Sequence, residues 1–235
     1  MKRIMVVLLT IMLLLSVGYS NAENTEDSNP ILFRGVEWGV KQKDAEKALS
    51  GIKFNSPDTY THWRSVKDFL TDAYPYTFYY NSVLGYNLYA TDSSKSNLKV
   101  AGYQVNSIGL KFVYLTDDNG ILVRDAEHSA LITATYTFKV TDKKAVFDDL
   151  TDKLTSLYGE IDESYQDGYS IVNTINIWYG SEGTLVVLRY EKYSSGSETL
   201  YLSYGFQGGD ELIEAAYRGA VKKEIQEAAS DTDGL

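Results

Sequence analysis

Residues able to do chemistry are few in this chain. It contains no cysteine, which removes thiol nucleophiles and disulfides. Its two histidines, His62 and His128, lie in different segments. They share no zinc-ligand spacing and no HExxH occurs, so neither a metal nor another cofactor is expected. The run Asp117-Asp118-Asn119-Gly120 invites a calcium test. With Gly120 at loop position 6, positions 1 and 12 fall on Leu115 and Ala126, which supply no side-chain oxygen. A glycine-dependent turn is the better reading. GSEG at 180–183 lacks the GxSxG order of a nucleophile elbow. No P-loop or GxGxxG follows a strand pattern.

Carboxylates remain, 32 of them. Glu160, Asp162 and Glu163 follow one helical pattern, and Glu37 and Asp44 flank FRGVEWG at 33–39. Glycoside cleavage needs two carboxyls at a set separation, which spacing along the chain does not supply. No catalytic, cofactor-binding or metal-ligating residue is therefore assigned. An acid-dependent envelope hydrolase stays as an alternative, with Glu37 and Asp44 the first acids to place. The 20 tyrosines suit half-buried strand positions. YPYTFYY (74–80), YNLYA (86–90) and Trp178-Tyr179 would instead serve a carbohydrate-binding module, with rings presented to sugar faces.

The elements that must position these residues follow a leader. MKRIMVVLLTIMLLLSVGYSNA has a basic start, an apolar stretch and small residues at Ser20 and Ala22. That order predicts a signal peptide over 1–22, cleaved before Glu23. Export to the periplasm, cell wall or medium follows, with no transmembrane segment in the mature chain. Removing Lys2 and Arg3 takes the formal charge from −10 to −12, which opposes nucleic-acid binding.

Residues 23–30 read as a flexible lead-in, 31–230 as one α+β domain divisible into halves 31–140 and 141–230, and 231–235 as a flexible tail. In the first half the pattern predicts a helix near 40–50, carrying Val40, Asp44, Ala48 and Leu49 on one face and ending at Gly51. A second short helix is expected through Trp63, Val66 and Leu70. YPYTFYY and YNLYA suggest a hairpin, and LKVAGYQV and IGLKFVYL suggest another around Asn106-Ser107. ALITATYTFKV at 130–140 alternates, with Ile132, Ala134, Tyr136 and Phe138 opposite Thr133, Thr135 and Thr137. In the second half, a helix capped by Thr141 bears Val146, Leu150, Leu154 and Leu157 and stops at Gly159. Three strands near 170–179, 184–191 and 198–205 follow. Asp210 is placed to cap a last helix with Ile213, Tyr217, Val221 and Ile225 as its stripe. The sum is two α-β-β-β units and a C-terminal helix, with an antiparallel sheet carrying helices on one face.

LFRGVEWGVKQKDAEKAL resembles the opening of small exported bacterial proteins, through Phe33, Gly35, Val36, Trp38, Gly39, Asp44 and Leu49. More distantly, the helix-then-strands order is similar to the BamE-like and beta-lactamase-inhibitor-like group. Those families often carry Ser or Thr as a helix cap where this chain has Val40-Lys41-Gln42. The resemblance to that group implies a non-catalytic protein that binds proteins or envelope components, and the partner expected is a protein or a cell-envelope polysaccharide. On physical grounds FRGVEWG reads as an anchor: glycines for sharp turning, Phe33, Val36 and Trp38 for covering the core, Arg34 and Glu37 facing water.

Overall fold

A computed structural model describes residues 30–60, 65–71, 83–92, 98–167 and 171–232. The leader, Trp63, His62 and YPYTFYY lie outside the described residues. The helices are α1 (Gln42–Ala48), α2 (Val66–Thr71), α3 (Lys143–Tyr158) and α4 (Gly209–Thr232). The strands are β1 (Asp58–Tyr60), β2 (Gly85–Tyr89), β3 (Lys99–Val100), β4 (Tyr103–Tyr114) and β5 (Ser129–Phe138) in the first half. The second half holds β6 (Glu163–Asp167), β7 (Ile171–Tyr179), β8 (Thr184–Tyr193) and β9 (Glu198–Phe206). Among the described residues, no helix is long and apolar enough to cross a membrane.

The strands form one antiparallel sheet in the order β1-β2-β4-β5-β9-β8-β7-β6, with β3 paired to β4. The protein is thus α+β. The first half has α1 and five strands, with α2 between β1 and β2; the second has α3 and four strands, one more than the three expected there. The strands not expected are β1 and β6, both short and at the edges, where the alternation signal is weakest. The last strands of the two halves, β5 and β9, meet at the centre. Along the sheet each half runs from its first strand at an edge to its last strand at the centre.

Register explains the core. Leu88, Leu110, Ala134, Tyr204, Val186 and Trp178 lie side by side across six strands, all buried. Helices α1 and α3 cover this face. Ala45 and Leu49 are the buried residues at α1, while Asp44 and Ala48 are exposed. On α3 the buried stripe is Val146, Phe147, Leu150 and Leu154. Leu157 is 69% exposed, and Tyr158 packs against the core at this end of the helix instead. Near the start of the helix, Phe147 joins the buried face and meets the Tyr190 ring at 6.1 Å. Asp142, not Thr141, caps α3 by accepting from the Ala145 amide at 2.9 Å.

The opposite face carries α2 and α4. Gly205 of β9 faces that way, and a Cβ there would meet Leu70 at 2.6 Å and Val66 at 2.7 Å. The missing side chain is what lets α2 approach. Asp210 does not close its own helix; it accepts from the Val66 amide at 2.5 Å and so joins α4 to the start of α2. Ile213, Ala216 and Ala220 are the buried side chains of α4, next to the buried glycines Gly209 and Gly219, and Ile225 is 65% exposed. The hairpin expected at Asn106-Ser107 is absent. β4 continues through it, and Asn106 is the extra residue of a bulge between the Val105–Phe138 and Ser107–Thr137 pairs. The true turn lies at Ala101-Gly102, both with positive φ, between β3 and β4.

Candidate functional site

The side of the sheet away from α1 and α3 is polar at its centre. Thr133, Thr135 and Thr137 of β5 point there, because Ala134, Tyr136 and Phe138 alternate into the core. Register sets three rows beside them. Asn87 and Lys111 continue from Thr133. Tyr89 and Gly109 lie on one flank of Thr135, and Ser203 on the other. Ser107 flanks Thr137, with Tyr201 and then Arg189 beyond it. These residues, with Phe69 of α2, line a cleft of about 250 Å³.

The hydroxyls are linked to one another. Thr135 Oγ1 donates to Ser203 Oγ at 3.0 Å, and Ser107 and Thr137 oxygens are 2.5 Å apart. Tyr89 is 46% exposed and lies over Gly109, where a Cβ would come 3.3 Å from the ring. Lys111 Nζ sits 3.8 Å from the Phe69 ring centroid. Arg189 is held by Glu191 at 3.1 Å, with both side chains under 10% exposed, and the Tyr201 ring centroid is 4.3 Å from its guanidinium carbon. Tyr193 donates to the other Glu191 oxygen at 2.7 Å. That carboxylate, followed by burial, pushes the Tyr193 hydroxyl pKa well up, so it stays a donor.

A second cleft of about 320 Å³ lies where FRGVEWG meets the β7–β8 turn, lined by Pro30, Leu32, Glu37, Trp38, Glu182, Thr184 and Phe206. FRGVEWG itself is a brace. Arg34 and Gly35, with φ of 54° and 77°, make a tight turn closed by Val36 N donating to Phe33 O at 3.0 Å. Phe33 is fully buried between Tyr136 of the first half and Tyr204 of the second, at 4.9 and 5.6 Å. Gly39 N donates to Leu131 O, and Ile31 N donates to Thr184 Oγ1 at 2.8 Å. Trp38 is half-buried and donates to Ile31 O at 2.8 Å.

Of the acids singled out in the sequence, Glu37 lines this second cleft beside Glu182, and Asp44 stands exposed on α1 outside its lining. Trp178 and Tyr86 are buried in the core and present no ring to a sugar, whereas Tyr89 does reach the surface. His128 is paired with Asp125 at 2.9 Å. The described residues hold no group of three or more His, Cys, Asp or Glu able to bind a metal. Sequence reasoning missed Arg189, Tyr201 and Ser203. The one signal for them was Arg189 and Glu191 interrupting the apolar run of β8 with a spacing of two, which places both on one side.

No protein-family model, curated protein or solved structure matches the chain. The geometry of the two clefts therefore bears the functional reading.

Proposed function

We propose that the chain is an exported, non-catalytic binding protein of the bacterial cell envelope, holding an envelope component on the hydroxyl-bearing side of its sheet. One observation carries this: Thr133, Thr135, Thr137, Ser107 and Ser203 line a cleft over the seam of the two halves. Hydroxyls both donate and accept, so the row matches a ligand rich in polar groups. Tyr89 and Phe69 add ring faces, and Lys111 adds charge. The leader order and the resemblance of FRGVEWG to the opening of small exported proteins support export.

The test is co-sedimentation of purified protein with isolated bacterial envelopes. Wild type is expected to sediment. Thr135→Arg, which fills the cleft, and Tyr89→Ala, which removes its exposed ring, are expected to stay in solution while keeping native circular dichroism. Sedimentation unchanged in both variants would reject this face as the binding site.

The hydrolase reading keeps one supporting observation, the shared cleft of Glu37 and Glu182 beside Trp38 and Phe206. Both carboxylates are exposed, unlike the buried acid that proton donation at neutral pH uses. Release of reducing sugar from envelope polysaccharide, abolished by Glu182→Gln, would establish it over the binding reading.

A further inference from the structure

We infer that the ligand is an acidic polysaccharide, laid along β5 with its anionic groups separated by neutral sugars. This rests on the envelope-binding reading and names the ligand class for that site. A further cleft, of about 660 Å³, is lined by Asn106, Lys139, Thr141, Lys143, Glu198 and neighbours. It shares Ser107 and Thr137 with the hydroxyl cleft and carries it round the end of β5 to the start of α3, so the two form one groove. From Thr133 to Lys139, whose amide still pairs with the Gln104 carbonyl, the extended backbone covers about 20 Å, at roughly 3.3 Å per residue. A groove of that length suits several repeating units better than one small molecule.

Charge gives the ligand its sign. The protein carries −10 overall. Yet the described lining of the groove contains Lys111, Lys139 and Lys143 against the carboxylate of Glu198, while Arg189 is already neutralised by Glu191 at 3.1 Å. Glu198 already accepts from the Tyr190 hydroxyl at 2.7 Å. The far end of the groove offers the most accessible cations. Lys139 is exposed there, and Lys143 is half-buried with its ammonium 3.2 Å from the Val140 carbonyl. Lys111 is in register with Thr133, and Lys139 lies six residues further on, just past the end of β5, about 20 Å away. Neutral hydroxyls occupy the interval. That spacing fits a sparsely charged, hydroxyl-rich chain. A dense polyanion such as a nucleic acid would meet the negative field of the whole molecule with little local compensation.

The experiment is affinity electrophoresis of purified protein in hyaluronan, in which uronate alternates with a neutral sugar. Carboxyl-reduced hyaluronan and poly-glutamate are the comparison gels. Hyaluronan is expected to retard the protein, less so as salt rises. The double variant Lys139→Glu/Lys143→Glu should lower its affinity at least about tenfold, the discrimination that charge-assisted contacts supply. Lys43→Glu, on the exposed side of α1 across the sheet, should change it less than about twofold, as for a charge outside the contact.

Equal retardation by the reduced polymer would overturn the anionic assignment. Retardation by poly-glutamate alone would assign an acidic protein partner instead. No retardation in any gel would also overturn the inference. If the double variant still sediments with envelopes while Thr135→Arg does not, the ligand class fails and the envelope-binding reading stands. If wild type does not sediment at all, that reading fails on its own account.

Discussion

Thr135 and Ser203 face each other at the centre of the sheet, hydroxyl to hydroxyl at 3.0 Å, on the strand pair that joins the two halves. On the other side of the same strands, Tyr136 and Tyr204 both contact the Phe33 ring. The seam thus has a dry side held by aromatics and a polar side lined with hydroxyls. Apolar burial closes the first. The second leaves groups that hydrogen-bond in two directions, which is why the candidate site falls there.

The α3 stripe separates two leucines that look equivalent by spacing. Leu150 is 1% exposed and Leu157 is 69% exposed. Leu150→Asp should unfold the protein or cost more than about 4 kcal/mol, since an unpaired carboxylate would enter the core. Leu157→Asp should stay within about 0.5 kcal/mol of wild type. Urea unfolding of both variants checks this, and equal midpoints would refute the orientation of α3.

Gly205→Ala should loosen α2. The new methyl would press on Leu70 and Val66, and overpacking of this kind costs about 1–3 kcal/mol. Hydrogen exchange should rise in α2 before it rises in α3. Unchanged exchange at 66–71 would show that the helix shifts without strain.

Trp38→Ala should cost about 2 kcal/mol, less than the roughly 3–5 kcal/mol of a fully buried aromatic, because the ring is half-buried. Part of the loss comes from the Ile31 carbonyl, which Trp38 Nε1 now satisfies. A denaturant midpoint indistinguishable from wild type would mean that the N-terminal brace does not depend on this ring.

Lys67 of α2 holds both Glu163 oxygens at 2.8 Å, and Tyr179 donates to one of them at 2.6 Å. Those two partners, Lys67 first, hold the Glu163 carboxyl below its ordinary 4.5. Its stabilising contribution is therefore present above pH 4.5 and lost as pH falls through the lowered value. Glu163→Gln should melt below wild type at neutral pH by about 1 kcal/mol or less, since both side chains are about one-third exposed. The gap should close on acidification. A gap that persists under acid would assign the effect to packing and not to charge.

Export should yield a chain that begins at Glu23, as the basic, apolar and small-residue order of 1–22 predicts. N-terminal sequencing of the exported product checks it. A product that retains Met1 would show that 1–22 is not a cleaved leader.

Elements with strong periodicity are legible in the sequence. The alternation of Thr133, Thr135 and Thr137 predicts a polar side for β5, and Val146, Leu150 and Leu154 predict how α3 packs. Local chemistry also marks the turns, as at Gly159, whose φ of 94° ends α3. Short edge strands are not legible, because β6, with its five residues, carries too little alternation to count. Asn106 reads as a turn because its type favours turns, yet pairing on both sides of it leaves a bulge inside one strand.

The groove belongs to the tertiary structure alone. Its lining comes from α2 and from β2, β4, β5, β8 and β9, brought together by register between strands far apart in the chain. Sequence determines which way each side chain points along its own strand. Only the pairing of β5 with β9 decides that the hydroxyls of one half meet those of the other, because strand partners are chosen by burying the opposite face.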